Sequence, residues 1–206
     1  GYLDNIMNEV VVLTFGIQAF VTLLVILDPP GATPIFLSMI GSRSKRQRVI
    51  LAWQAAATSL IVITIFALFG QFIVNYLDIS MPALRGAGGL LLLLVSLELL
   101  RGSDSDVKPH QNIALVPLGT PLLAGPGAIV TIMLFAQQVE GISMGVALTA
   151  AVIGAHLVIG LTLMFATNIV SLIKESGVML LAKIAGLLTA AIAFEMLFTG
   201  VRELLI

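Results

Sequence analysis

Few side chains in this sequence could do chemistry. There is no cysteine, and the only histidines are His110 and His156. That excludes disulfides, thiolate metal sites and cysteine nucleophiles, and it leaves too few imidazoles for a histidine-rich metal centre. No metal and no cofactor are therefore expected. Three acids fall inside apolar runs: Asp28, Glu98 and Glu195. Ionisable residues in such surroundings are costly, and they mark proton or solute paths by default. Asp28 precedes a proline pair and could equally serve as a helix-breaking cap. Glu98 stands three residues from Arg101 and reads as its interfacial partner, whereas Glu195 has apolar neighbours on both sides. His156 sits in the middle of an apolar run, and imidazole is the side chain that changes charge near neutral pH. A lone histidine in such a run is more often glue between helices. The candidates for moving a proton are thus Asp28, Glu195 and His156.

Two local patterns imitate catalytic motifs. GISMG (Gly141–Gly145) matches the nucleophile-elbow pattern, but it lies at the start of an apolar run without strand–turn–helix context or a convincing base. SRSK (Ser42–Lys45) sits in a basic link, where its charges have a topological explanation. No zinc-protease helix and no phosphate-binding loop occurs. Nothing marks the chain as an enzyme.

The elements that would position these residues follow from composition. Hydrophobic residues make up 59% of the 206, charged residues 10%, and the mean hydropathy is +1.11. Soluble domains carry about a quarter charged residues, so lipid must be part of the solvent. The net charge of −1 gives no reason to expect nucleic acid. Apolar runs fall at 10–40, 49–75, 81–100, 112–138, 144–172 and 177–201, and a span needs about 20 residues. Six transmembrane helices are expected in an all-α polytopic membrane protein. The stretch ahead of the first run lacks a basic n-region and carries Asp4 and Glu9, so the run is expected to remain as a span and not to be cleaved as a signal. Arg43, Lys45, Arg46, Arg48, Arg101, Lys108, Lys174 and Lys183 lie in or beside alternate links, against only Arg85 and Arg202 on the other side. This bias places the basic links in the cytoplasm and both termini outside, in a cytoplasmic membrane.

The runs repeat. RGAGGLLLLLVSLELLRG (Arg85–Gly102) matches KIAGLLTAAIAFEMLFTG (Lys183–Gly200) in its opening basic residue, its Ala-Gly pair, its late glutamate and its final glycine. Pro30-Gly31-Ala32 matches Pro126-Gly127-Ala128 at an offset of 96, against 98 for the other pair. The expected organisation is a three-helix repeat over residues 1–102, a cytoplasmic connector at 103–111, and a second three-helix repeat over 112–206. Three is odd, so the second copy must be inverted, as in many secondary transporters.

The matching prolines do more than kink. Pro29, Pro30 and Pro34 crowd around Gly31, and Pro117, Pro121 and Pro126 around Gly119, Gly125 and Gly127. Proline removes a donor and disfavours helix before it, so the first helix of each repeat should break. Unwound backbone at membrane depth is tolerated where protein or a cavity supplies its partners. The candidate substrate site is therefore Asp28, Pro30, Gly31, Ala32 and Thr33 in one break, with Gly125, Pro126, Gly127, Ala128 and Thr131 in the other. Half-helix N-termini near Gly31 and Gly127 would face an anionic group, and carbonyls ahead of the breaks would accept from an ammonium. A small zwitterion fits both.

Three stretches carry a family resemblance: DPPGATPIF (Asp28–Phe36), ALRGAGGLLLLLVSLELLRG (Ala83–Gly102) and VPLGTPLLAGPGAIVT (Val116–Thr131). Together they resemble the MarC family, which includes the SnatA-type transporters of small neutral amino acids, and the likeness runs in order along nearly the whole chain. Ala32 stands where that family's pattern often has Asn. The resemblance implies six spanning helices, transport of substrates such as glycine and alanine, and coupling to the proton gradient. A channel or an exporter of another small solute is the alternative, and an intramembrane enzyme or a non-transporting scaffold a third. A homo-oligomer is open, since Gly86, Gly88 and Gly89 permit close helix contact within or between chains.

Overall fold

The computed structural model describes residues 1–101 and 125–206. The connector expected at 103–111 and the start of the fourth apolar run lie outside them. The described elements are seven helices: α1 (Tyr2–Leu27), α2 (Pro29–Ile40), α3 (Lys45–Tyr76), α4 (Met81–Arg101), α5 (Pro126–Gln137), α6 (Gly141–Met164) and α7 (Ala166–Leu205). Helix is what lipid demands, because every backbone donor and acceptor must be paired within the segment. By length and composition, five helical stretches could cross a membrane: α1 with α2, α3, α4, α6 and α7. The twelve residues of α5 rise only about 18 Å, well short of a hydrocarbon core of about 30 Å.

Local chemistry sets the boundaries. Ser44 and Gln47 form a capping box at the start of α3, with Gln47 N donating to Ser44 Oγ at 3.3 Å and Ser44 N to Gln47 Oε1 at 3.4 Å. The basic link thus uses a serine as a cap. The 40 residues of α7 would rise about 60 Å if straight, too long for one crossing. At Lys174 the backbone leaves helical geometry, with φ 65° and ψ 169°. The long helix is therefore two helices meeting at Lys174, in the gap between the fifth and sixth apolar runs.

Packing relies on small residues. α4 and α7 run antiparallel with their backbones in near contact. A Cβ on Gly89 would lie 2.5 Å from Leu197 N, and one on Gly200 would lie 2.6 Å from Gly86 N. Arg85 Nη1 pairs with Glu203 Oε1 at 2.8 Å at one end of this pair. α1 lies alongside α6, with Gly16 against Ala147 and Gly154 against the Phe20 ring. α3 runs antiparallel to α6. There Trp53 packs on Gly160 and its Nε1 donates to Met164 Sδ at 3.3 Å. Leu23, Ile63, Ile132, Ile159 and Leu163 are buried at the centre, while Leu68, Phe72, Leu187 and Phe198 face outward.

Candidate functional site

The break in the first run centres on one residue. Asp28 has φ 51° and ψ 70°, the left-handed region that aspartate tolerates better than most residues. Its N–H donates to the Leu24 carbonyl at 3.1 Å and closes α1. Its Oδ1 accepts from Gly31 N at 3.0 Å, and its carbonyl accepts from Ala32 N at 2.9 Å, which opens α2. Asp28 therefore ends one helix and caps the next. It is buried, and its Oδ2 meets no donor among the described residues.

Pro29 and Pro30 fit the first turn of α2, where their missing donors are not needed. Their cost falls on α1. The carbonyls of Val25 and Ile26 would be paired by the N–H groups of residues 29 and 30, which do not exist. Thr189, buried on α7, places its Oγ1 3.3 Å from the Val25 carbonyl, while also lying 2.7 Å from its own Ala185 carbonyl. No such substitute donor reaches the Ile26 carbonyl among the described residues.

The Pro-Gly-Ala triplet of α5 starts differently. Its N-cap is Gly125, in extended backbone with φ −81° and ψ 176°, and no side chain caps it. Ile129 N donates to the Gly125 carbonyl at 3.1 Å. The N–H groups of Gly127 and Ala128 belong to the first turn, which has no intrahelical acceptor. Among the described residues they meet none. The helix dipole adds positive potential at the same point. Gly127 is seated against α4, where a Cβ would lie 2.5 Å from Leu92 Cδ1.

The break at Asp28 and the N-terminus of α5 open on one cavity of about 330 Å³, at the small end of the range for ligand pockets, about 300–1,000 Å³. Asp28, Gly31 and Ala32 line it from α2's side, and Gly125 to Ala128 from α5's side. α4 closes the wall with leucines, Val95 and Glu98. The other residues singled out in the sequence lie elsewhere. Pro30, Thr33 and Thr131 adjoin the breaks but do not line the cavity, and each hydroxyl is turned onto its own helix: Thr33 to the Pro29 carbonyl at 2.8 Å, Thr131 to the Gly127 carbonyl at 2.7 Å. Glu195 is exposed on α7, away from the cavity, which instead takes in Glu98. His156 is buried between α3 and α6. Its Nδ1 lies 2.7 Å from the Val152 carbonyl and its Nε2 2.9 Å from Ser59 Oγ. A carbonyl can only accept, so Nδ1 carries a proton, and in the neutral ring Nε2 accepts from Ser59. No cluster of His, Asp or Glu able to hold a metal occurs among the described residues.

Long apolar helices whose outward faces are hydrophobic, broken at a buried aspartate, define a multi-pass integral membrane protein. The chain belongs to the MarC family of integral membrane proteins, whose model matches residues 13–205. It is 35% identical over 204 residues to the UPF0056 membrane protein MJ1677 of Methanocaldococcus jannaschii, covering 94% of this chain and 99% of that one. It is 30% identical over 203 residues to the UPF0056 membrane protein YvbG of Bacillus subtilis, covering 92% and 95%. No solved structure matches it.

Proposed function

We propose that the protein is a secondary transporter of small neutral amino acids such as glycine and alanine, working by alternating access and coupled to the proton gradient. The observation that carries this reading is the shared cavity: on one side a helix N-terminus and on the other a buried carboxylate beside the Ile26 carbonyl, both the N-terminus and that carbonyl without a partner among the described residues. The substrate carboxylate sits on the N–H groups of Gly127 and Ala128. The ammonium sits between Asp28 Oδ2 and the Ile26 carbonyl. Gly31, Ala32, Gly125 and Ala128 present no side chain larger than a methyl group to the substrate. Of the three proton-carrying candidates, Asp28 is the coupling group, because it alone faces the substrate.

Six spans in two inverted repeats are part of the same reading. Neighbour relations support it: α2 packs on α7 as α5 packs on α4. So does the Ser59–His156 contact, whose members stand 97 positions apart, between the two sequence offsets. Residues related by a twofold axis touch each other only on that axis. Orientation follows from charge, with the basic end, where Arg48 Nη1 meets Thr167 Oγ1, in the cytoplasm and both termini outside.

The test is reconstitution in liposomes with labelled glycine and alanine under an imposed pH gradient. Uptake of both, abolished by collapsing the gradient, is expected. Neither uptake nor binding of either amino acid by active protein would end this reading.

A further inference from the structure

At the end of the bundle that carries the basic link, the first turn of α3 meets the junction of α6 and α7 around a second cavity, of about 260 Å³. Its polar wall is Lys45, Arg48, Thr167 and Asn168, and its apolar wall includes Leu163 and Phe165. Arg48 Nη1 donates to Thr167 Oγ1 at 3.0 Å. Its Nε is buried and, alone among the buried side-chain polar atoms of the described residues, has no partner. No Asp or Glu lines this cavity, and Arg48 makes no ion pair among the described residues. An arginine cannot shed its proton to escape burial, and a buried donor without an acceptor carries its full desolvation penalty. The cavity is therefore basic, with no carboxylate among its lining residues to balance Lys45 and Arg48. Guanidinium geometry matches the paired oxygens of a phosphate.

We propose that this cavity binds the headgroup of an anionic phospholipid. Arg48 holds the phosphate through its accessible guanidinium N–H groups, Lys45 adds a second positive charge, and Asn168 offers an amide donor. Leu163 and Phe165 lie along the glycerol and the upper acyl chain. The apolar wall is what selects a lipid over free phosphate, since a small hydrated anion gains nothing from it. Basic pockets between helices at this level of the membrane suit acidic headgroups.

The test titrates purified full-length protein in detergent with phosphatidylglycerol, phosphatidylcholine or inorganic phosphate, and reads the unfolding midpoint and bound lipid by native mass spectrometry. Phosphatidylglycerol should raise the midpoint and appear as a bound adduct, and the other two should do neither. Arg48→Gln should weaken phosphatidylglycerol binding by about tenfold, the order expected when one charge-assisted hydrogen bond is lost. Arg46→Gln, on the same link but outside the cavity, should leave binding unchanged. If Arg48→Gln does not fold, Lys45→Gln at an exposed position replaces it, with a loss of about threefold expected from one partly screened charge. Equal binding of phosphatidylcholine, equal stabilisation by inorganic phosphate, or equal losses in Arg46→Gln and the cavity variant would each overturn the assignment.

Discussion

α2 and α5 both carry Pro-Gly-Ala in their first turn and open on the same cavity, yet their ends are finished in different ways. At α2 the residue before the triplet region is Asp28, whose carboxylate occupies the Gly31 N–H. At α5 the corresponding cap is Gly125, which has no side chain to offer. One N-terminus is capped by its own aspartate, and the other meets no cap among the described residues. Sequence similarity between the two Pro-Gly-Ala stretches suggests two equivalent anion sites; the geometry already fills the Gly31 N–H with Asp28. The difference gives the cavity a polarity, and that polarity sets the direction in which a zwitterion would lie.

Filling the glycines should break the comparison most severely. A Cβ at Gly31 would lie 2.0 Å from Asp28 Oδ2, and one at Gly127 would lie 2.5 Å from Leu92 Cδ1. Gly31→Val and Gly127→Val should each lower glycine uptake by about a hundredfold or more, as small displacements in a reactive or binding geometry can do, while the protein still inserts and elutes as a single species in detergent. Liposome uptake and size-exclusion chromatography check this.

The next effect separates the two roles of Asp28. Asn and Asp cap helices about equally well, and replacing either by Ala costs about 0.5–2 kcal/mol. Asp28→Asn should therefore keep stability while losing about tenfold in glycine affinity, the order for one charge-assisted contact, together with the response of uptake to a pH gradient. Asp28→Ala should lose stability as well. Calorimetric titration with glycine and thermal unfolding distinguish the pair.

The smallest effect concerns the repair of α1. Thr189→Val keeps the shape and removes the hydroxyl facing the Val25 carbonyl, so a loss of about 1 kcal/mol is expected. Thr189→Ser should restore most of it. Equal unfolding midpoints in the two variants would remove Thr189 from any part in supporting the break.

Legibility in the sequence differed from element to element for physical reasons. The break at Asp28 could be read because prolines act locally, and Pro29 and Pro30 delete donors whatever surrounds them. The turn at Lys174 could be read because length limits a membrane helix. Thr189 could not, since the carbonyl it faces lies 164 residues away and only tertiary packing joins them. Glu98 and Glu195 occupy nearly equivalent places in two similar sequence stretches, and their different surroundings depend on how α4 and α7 rotate about their axes. Hydropathy could not fix that rotation. Leu187 and Phe198 face outward as apolar as the residues within, because lipid accepts the face that water would reject. For the same reason the small-residue contacts of Gly89 and Gly200 mark the packed faces better than the leucines do.

The most direct measurement installs on α5 the cap that α2 already has. Gly125 adopts an extended conformation open to any residue, and a Cβ there would meet nothing within 4 Å among the described residues. Gly125→Asp should raise the unfolding midpoint, through up to about 1 kcal/mol of capping and dipole stabilisation, and at the same time weaken glycine binding by about tenfold or more as its carboxylate takes the Gly127 and Ala128 N–H groups. A variant that is stabilised yet binds glycine as tightly as the parent would show that the bare N-terminus of α5 does not hold the substrate carboxylate.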